Sequence, residues 1–319
     1  MESEYTILLY YKYVRIKDPV LAKEQQKAIC EALGLKGRII VSQEGINGTV
    51  EGKTEDTNKY IAWMNTQKYF KDIDWKKSDG NGNCFPKLSV KVRKEIVSLH
   101  LVDEGRDIDP NKLTGKRLKA EELDKMYESG EEFYIVDMRN DYELEVGKFD
   151  KTVFPGLKNF RDLKDRVSEI EHLKDKKVVT VCTGGIRCEK ASGFLMDQGF
   201  KDVSQLHNGM FTYMKNFPNK SFKGSLYVFD GRTTMTYDDP EKHVVIGKCH
   251  YCNDATENYF DCYYPFCHQQ FLGCESCVKD NDGYCKEECR NKDIEYNKER
   301  QNKTQQQHQQ NNKKEKTLV

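Results

Sequence analysis

The stretch KKVVTVCTGGIRCEKASGFLMDQGF, Lys176 to Phe200, constrains the fold more than any other part of this chain. Val178, Val179, Thr180 and Val181 form a β-branched run with charge only at its start, the pattern of a strand covered on both faces in a parallel sheet. Beyond a short loop, Ala191, Phe194, Leu195 and Gln198 follow helical spacing, and Gly199 is placed to stop the helix. Cys182 therefore stands between a strand end and a helix start, where converging backbone N–H groups favour an anion. Such a field turns a thiol into a nucleophile near neutral pH. In the loop Thr183, Gly184, Gly185 and Ile186, the two glycines let the amides curl inward, and Arg187 adds a fixed positive charge at the rim. A structural thiol is the competing reading, because free cysteine is among the most buried residue types. Glycines, arginine and helix start together favour the reactive one.

Loop length separates two chemistries. Phosphatases with a cysteine nucleophile place one more residue between cysteine and arginine than the Thr183 to Ile186 found here. The smaller ring of amides suits a terminal persulfide sulfur better than a phosphoryl group. Cys188, in the first helical turn, reads equally as a resolving thiol or as a residue packed beneath the loop.

A chain of 319 residues predicts two or three domains. Basic and acidic side chains balance at 52 each, so no global field announces a nucleic-acid partner. No apolar run approaches membrane-spanning length and the N-terminus lacks a secretory cleavage pattern, so the expectation is a soluble cytoplasmic protein with no membrane partner.

Residues 1–102 alternate strand and helix signals in the order β-α-β-β-α-β, that of a ferredoxin-like (acylphosphatase-like) split βαβ domain. Asp18-Pro19 caps the first helix, and Gln43 to Gly48 reads as the turn between the second and third strands. Lys87, Lys91 and Arg93 on the last strand, with Tyr10, Tyr11 and Tyr13 on the first, form the pattern an RNA-binding sheet uses, although lysines on a solvated edge explain it as well. A polar linker, 103–117, leads to a parallel α/β domain over 118–218. Asp137 and Arg139 lie near the carboxyl ends of its strands and read as an ion pair supporting the loop. The fold class expected is thus a multidomain mixture of α/β and α+β.

Cys249, Cys252, Cys262, Cys267, Cys274, Cys277, Cys285 and Cys289 hold eight of the twelve cysteines, with two C-x2-C knuckles. That spacing predicts a module over 219–290 with two structural zinc sites of four thiolates each; sequential and interleaved groupings both fit. His250 and His268 are alternative ligands at a corner. The neighbouring aromatics, Tyr251 to Phe266, either stack bases or cover a module too small for a core of its own. Residues 291–319, rich in Gln, Asn, Lys and Glu, read as a disordered polar tail.

These motifs carry a resemblance. Residues 120 to 216 resemble a rhodanese domain, with Asp137, Arg139, Glu143 and Gly147 on its D-x-R-x-x-x-E-x-x-x-G pattern and CTGGIR as its active loop. With EGINGT upstream and the Phe222 to Arg232 motif downstream, nearly everything up to residue 290 resembles the rhodanese-related tRNA uridine hydroxylases. The resemblance implies hydroxylation of the wobble uridine to 5-hydroxyuridine, with molecular oxygen as co-substrate, the tRNA anticodon arm as partner and Cys182 as the reactive cysteine. One departure stands out: Asn208-Gly209 replaces the family's usual glycine pair, a change expected to stay clear of the sulfur site. The alternatives are a sulfurtransferase carrying a persulfide on Cys182 and a binding module with a dormant loop. None of the histidines forms an H-x-D or H-x-E pair, so no iron facial triad is evident.

Overall fold

A computed structural model describes residues 3–316, and side chains from residue 3 to residue 304. The chain divides into two compact units, Met1–Val244 and Val245–Val319.

The first unit opens with β1 (Tyr5–Tyr13), α1 (Pro19–Ala32), β2 (Lys36–Ser42), β3 (Gly45–Lys53), α2 (Thr54–Thr66), β4 (Lys76–Gly80) and β5 (Leu88–Val92). Its sheet runs β4-β1-β3-β2-β5. The first four strands are antiparallel neighbours and β5 joins parallel to β2, which is the expected split βαβ arrangement extended at one edge. Helix α1 begins where the Asp18 carboxylate accepts the N–H groups of Val20 and Leu21. The turn after β2 is shorter than expected: Ser42 already pairs with Gly45, because Ile46 is needed in the core. Leu8, Tyr10, Ile39, Val41, Ile46 and Val50 point towards α1 and α2. The alternate residues therefore point the other way.

The second half of this unit contains β6 (Lys116–Leu118), α3 (Ala120–Ser129), β7 (Tyr134–Asp137), α4 (Asp141–Glu145), β8 (Gly147–Phe149), β9 (Thr152–Val153), α5 (Leu163–Arg166), β10 (Lys177–Val181), α6 (Ile186–Asp197), β11 (Asp202–Leu206) and α7 (Gly209–Asn216). The parallel sheet runs β6-β11-β10-β7-β9. Val178 enters the core on one face, and Val179 and Val181 enter the core on the other, which is why β10 reads as a continuous apolar run.

The structure redraws three expected boundaries. Residues 103–117 are no free linker, because Ile108 is buried with Leu99 and Leu101 in the core beside the parallel sheet and Gly115 N–H donates to Ser192 Oγ at 2.8 Å. Residues 219–244 belong with the first unit rather than with the cysteine module. There Phe222, Leu226 and Val228 complete an apolar core, β12 (Phe222–Gly224) pairs with β8, and Arg232 donates to Ser78 Oγ and the Asp79 carbonyl at 2.9 and 3.0 Å. The tail expected to be disordered is helical through Lys316, within a helix Glu287–Lys316. Gln, Lys and Glu are good helix formers, and ion pairs such as Glu288–Lys292 at i,i+4 add support. Among the described residues, no helix is long and apolar enough to cross a membrane.

Candidate active site and metal centres

Cys182 follows β10 directly, and Gly185 caps α6 with φ of 95°, so the loop folds its amides over the sulfur. Gly185 N–H donates to Cys182 Sγ at 3.2 Å. Burial opposes ionisation, but a hydrogen bond from Cys188, the charge of Arg187 and the backbone amides of both outweigh it, lowering the Cys182 thiol to about 6. Burial and the neighbouring Cys182 push the Cys188 thiol well up, so it stays protonated and serves as donor. Cys188 packs in the same core beneath the loop, with no exposed surface.

Arg187 meets Glu143, at the end of α4's first turn, through Nη1–Oε1 and Nη2–Oε2 contacts of 2.6 and 2.8 Å, and its Nη2 also reaches Thr183 Oγ1 at 3.3 Å. Burial alone would raise the Glu143 carboxyl, but the Arg187 charge lowers it below the ordinary range. Beneath lies a second fork: Arg139 grips Asp137 through Nη2–Oδ2 at 2.8 Å and donates to the carbonyls of Glu143 and Gly147 at 3.1 and 2.7 Å. Both members are fully buried, so the pair braces the element that carries Glu143.

The loop is held from the other side as well. Met210 and Phe211 donate their N–H groups to the carbonyls of Cys182 and Thr183, each at 3.0 Å. Gly209, with φ of 69°, lies so close that a Cβ there would stand 2.6 Å from either carbonyl oxygen. The Asn208-Gly209 departure thus does touch the sulfur loop, contrary to expectation. Asn208 adopts φ of 61°, a left-handed conformation asparagine tolerates, so the geometry survives.

Above the loop, the face of the N-terminal sheet turned away from its helices forms the far wall of a cavity of about 490 Å³. Cys182, Thr183 and Arg187 line it together with Arg38, Arg161 and Phe229. Arg38 and Arg161 are exposed and have no carboxylate partner among the described residues. Of the expected RNA contacts, Lys87, Lys91 and Arg93 are all exposed; Lys91 pairs with Ile40 and so shares the cavity-side face with Arg38. The tyrosines do not form a stacking platform. Tyr10 is buried against Tyr60, and Tyr11 and Tyr13 donate to Glu189 and the Ile186 carbonyl, each at 3.3 Å. Glu143 is the motif glutamate and Phe229 falls within the Phe222 to Arg232 motif, whereas nothing in local sequence marks Arg38 or Arg161, which share the cavity with Cys182 through tertiary packing alone.

In the second unit the eight thiols form two interleaved groups, Cys249, Cys252, Cys274, Cys277 and Cys262, Cys267, Cys285, Cys289, each with its sulfurs within 4.8 Å of one another. Sulfur separations of 3.5 to 3.8 Å within the groups match the edge of about 3.8 Å expected for a tetrahedron of thiolates around a metal. Both groups can hold a metal ion. His250 enters neither group, and its Nε2 lies 2.7 Å from the Cys285 carbonyl. Tyr251, Phe260 and Tyr264 pack on the cysteine core, whereas Tyr263 and Phe266 are 65% and 56% exposed.

A parallel sheet bearing a low-pKa cysteine in a six-residue loop, joined to a split βαβ domain, defines a rhodanese-related protein. Residues 119–216 match the rhodanese-like domain, residues 5–96 the UPF0176 acylphosphatase like domain, and residues 223–290 the family described as rhodanase C-terminal. The chain is 42% identical over 297 residues to the tRNA uridine(34) hydroxylase of Bacillus licheniformis, covering 91% of this chain and 89% of that protein. It is 44% identical over 288 residues to that of Staphylococcus aureus strain COL, covering 89% of each. The chain belongs to the tRNA uridine(34) hydroxylase family.

Proposed function

We propose that this protein hydroxylates the wobble uridine of tRNA to 5-hydroxyuridine with molecular oxygen as co-substrate, in the cytoplasm, and that the anticodon arm delivers the base into the cavity over Cys182. The observation that carries this reading is the opening of the Cys182 loop into that cavity. Its 490 Å³ fits a small organic ring system, small-molecule pockets spanning about 300–1,000 Å³. A base read in such a pocket leaves the stacked strand, and the cost of unstacking is low in a single-stranded loop. Arg38 and Arg161 suit the phosphates on either side of that base, and Lys87, Lys91 and Arg93 extend the basic strip along the sheet edge. Cys182 supplies an anionic sulfur able to take up and release oxidising equivalents. Arg187 and Thr183 keep the loop shaped around it, and Cys188 is a hydrogen-bond donor to the sulfur.

The two groups of four cysteines suit zinc, whose tetrahedral all-thiolate sites are structural when every position is filled. Mass spectrometry of tRNA nucleosides from cells lacking the protein tests the reading: 5-hydroxyuridine and its derivatives fall, and return with the wild-type gene but not with Cys182→Ala. Unchanged nucleosides in the deletion would overturn it. The same loop supports a second reading, sulfur transfer through a Cys182 persulfide. Thiosulfate turnover lost in Cys182→Ala, with tRNA hydroxylation intact, favours that reading over the first.

A further inference from the structure

Lys76 is a buried cation with no assigned partner. Its side chain is 4% exposed, and Nζ has no hydrogen-bond acceptor among the described residues. It lies on β4 paired with Leu9 of β1, and Leu9 closes over the reactive loop: a Cβ on Gly184 would stand 3.0 Å from Leu9 Cδ2. The ammonium sits 4.9 Å from the ring centroid of Tyr11, whose hydroxyl abuts Gly185. A buried, unpaired ammonium is costly, so its retention calls for an anion nearby.

Three anions act on it: Asp74, Cys182 and Glu189. Asp74, 3.3 Å from His207, has a side chain 61% exposed and so screened by solvent, and Glu189 is gripped by Arg117 at 3.0 and 2.8 Å. The Cys182 sulfur is fully buried, and the guanidinium beside it, Arg187, divides its charge between that sulfur and the Glu143 carboxylate. We propose that Lys76 is a positioning residue for the reactive loop, its ammonium adding from behind to the positive charge that holds the Cys182 sulfur anionic, a charge that Arg187 shares with Glu143. Burial lowers the Lys76 amine to about 8, while the Cys182 thiol sits at about 6, so between those values both partners are charged. The other groups facing the sulfur are Arg187 and Cys188 on α6 and Tyr11 on β1; Tyr11 is held neutral and Cys188 protonated.

The test uses the full chain with 13Cβ-labelled cysteine, the Cys182 resonance being assigned by its loss in Cys182→Ala. Its pH titration is followed in wild type, Lys76→Met, Lys76→Gln and Lys76→Arg, without tRNA, so the outcome is independent of the substrate reading. Removing the charge should raise the Cys182 midpoint by about one pH unit, a tenfold change in the thiolate-to-thiol ratio, and Lys76→Arg should restore most of it. Lys76→Met should keep or raise the melting temperature, since a buried ammonium with no hydrogen-bond acceptor is replaced by apolar volume. A Cys182 midpoint identical to wild type in a folded Lys76→Met or Lys76→Gln protein overturns the proposal.

Discussion

Arg187 and Glu143 meet side by side through two parallel contacts of 2.6 and 2.8 Å, both residues buried, one from the helix after the reactive loop and the other from the helix after β7. The fork makes the loop's conformation depend on the helix that follows β7, the sheet neighbour of β10. Glu143→Gln leaves a buried guanidinium half-satisfied and should cost about 3–5 kcal/mol in urea denaturation, as for other buried pairs that lose one partner. Glu143→Asp, which retains the charge but is shorter, should cost less.

The same carboxylate sets an acid limit. Because the folded-state pKa of Glu143 is depressed, its stabilising contribution is present above the unfolded carboxylate value of about 4.3 and is lost as pH falls through the lower folded value. Cys182, lowered to about 6, is anionic above that pH. Reactivity that depends on the thiolate should therefore fall on the acid side with a midpoint near 6 while the protein is still folded. Rate and circular dichroism measured over the same pH series separate the two transitions.

Gly209 is placed where no side chain fits. With φ of 69° and carbonyl oxygens 2.6 Å from any added Cβ, Gly209→Ala must push the Cys182 loop or unwind the start of α7. The left-handed conformation alone costs about 1–2 kcal/mol for alanine. The expected outcome is a lower melting temperature with a Cys182 midpoint shifted upwards, read by the cysteine titration.

The interleaving of the cysteine module is decided by metal counting. Cys252 and Cys274 belong to one group, so the double variant Cys252→Ser/Cys274→Ser should lose one of two bound metal equivalents by elemental analysis. Sequential grouping would place them in different groups and predict loss of both. Chelation of both ions should unfold the second unit, whose core consists largely of the ligands themselves.

Arg38 and Lys91 share the cavity-side face of the sheet edge. If both neutralise phosphates, Arg38→Gln/Lys91→Gln should weaken tRNA binding and lower the slope of log affinity against log salt by about two charges' worth. An unchanged slope in a binding assay across salt concentrations would remove this edge from the RNA path.

Much of this protein is written in local sequence. The β-branched run before Cys182, the glycines after it and the Asp18-Pro19 cap act within a few residues, so strand, loop and helix are legible without neighbours. The C-x2-C knuckles likewise announce thiolate metal chemistry, because ligand spacing is a short-range constraint. What sequence alone left open are relations between distant segments. Which cysteines share a centre, whether Cys188 faces Cys182, and that residues 219–244 strap one domain to the other all depend on contacts across long loops. The helical tail was misread because polarity shows the want of a core, whereas helix formation there rests on backbone propensity and i,i+4 pairs. The sequence by itself determined that Cys182 would stand between a strand end and a helix start. Only tertiary structure decided what surrounds it, because charge and shape at a site are sums over side chains that the chain brings together from Arg38 to Phe229.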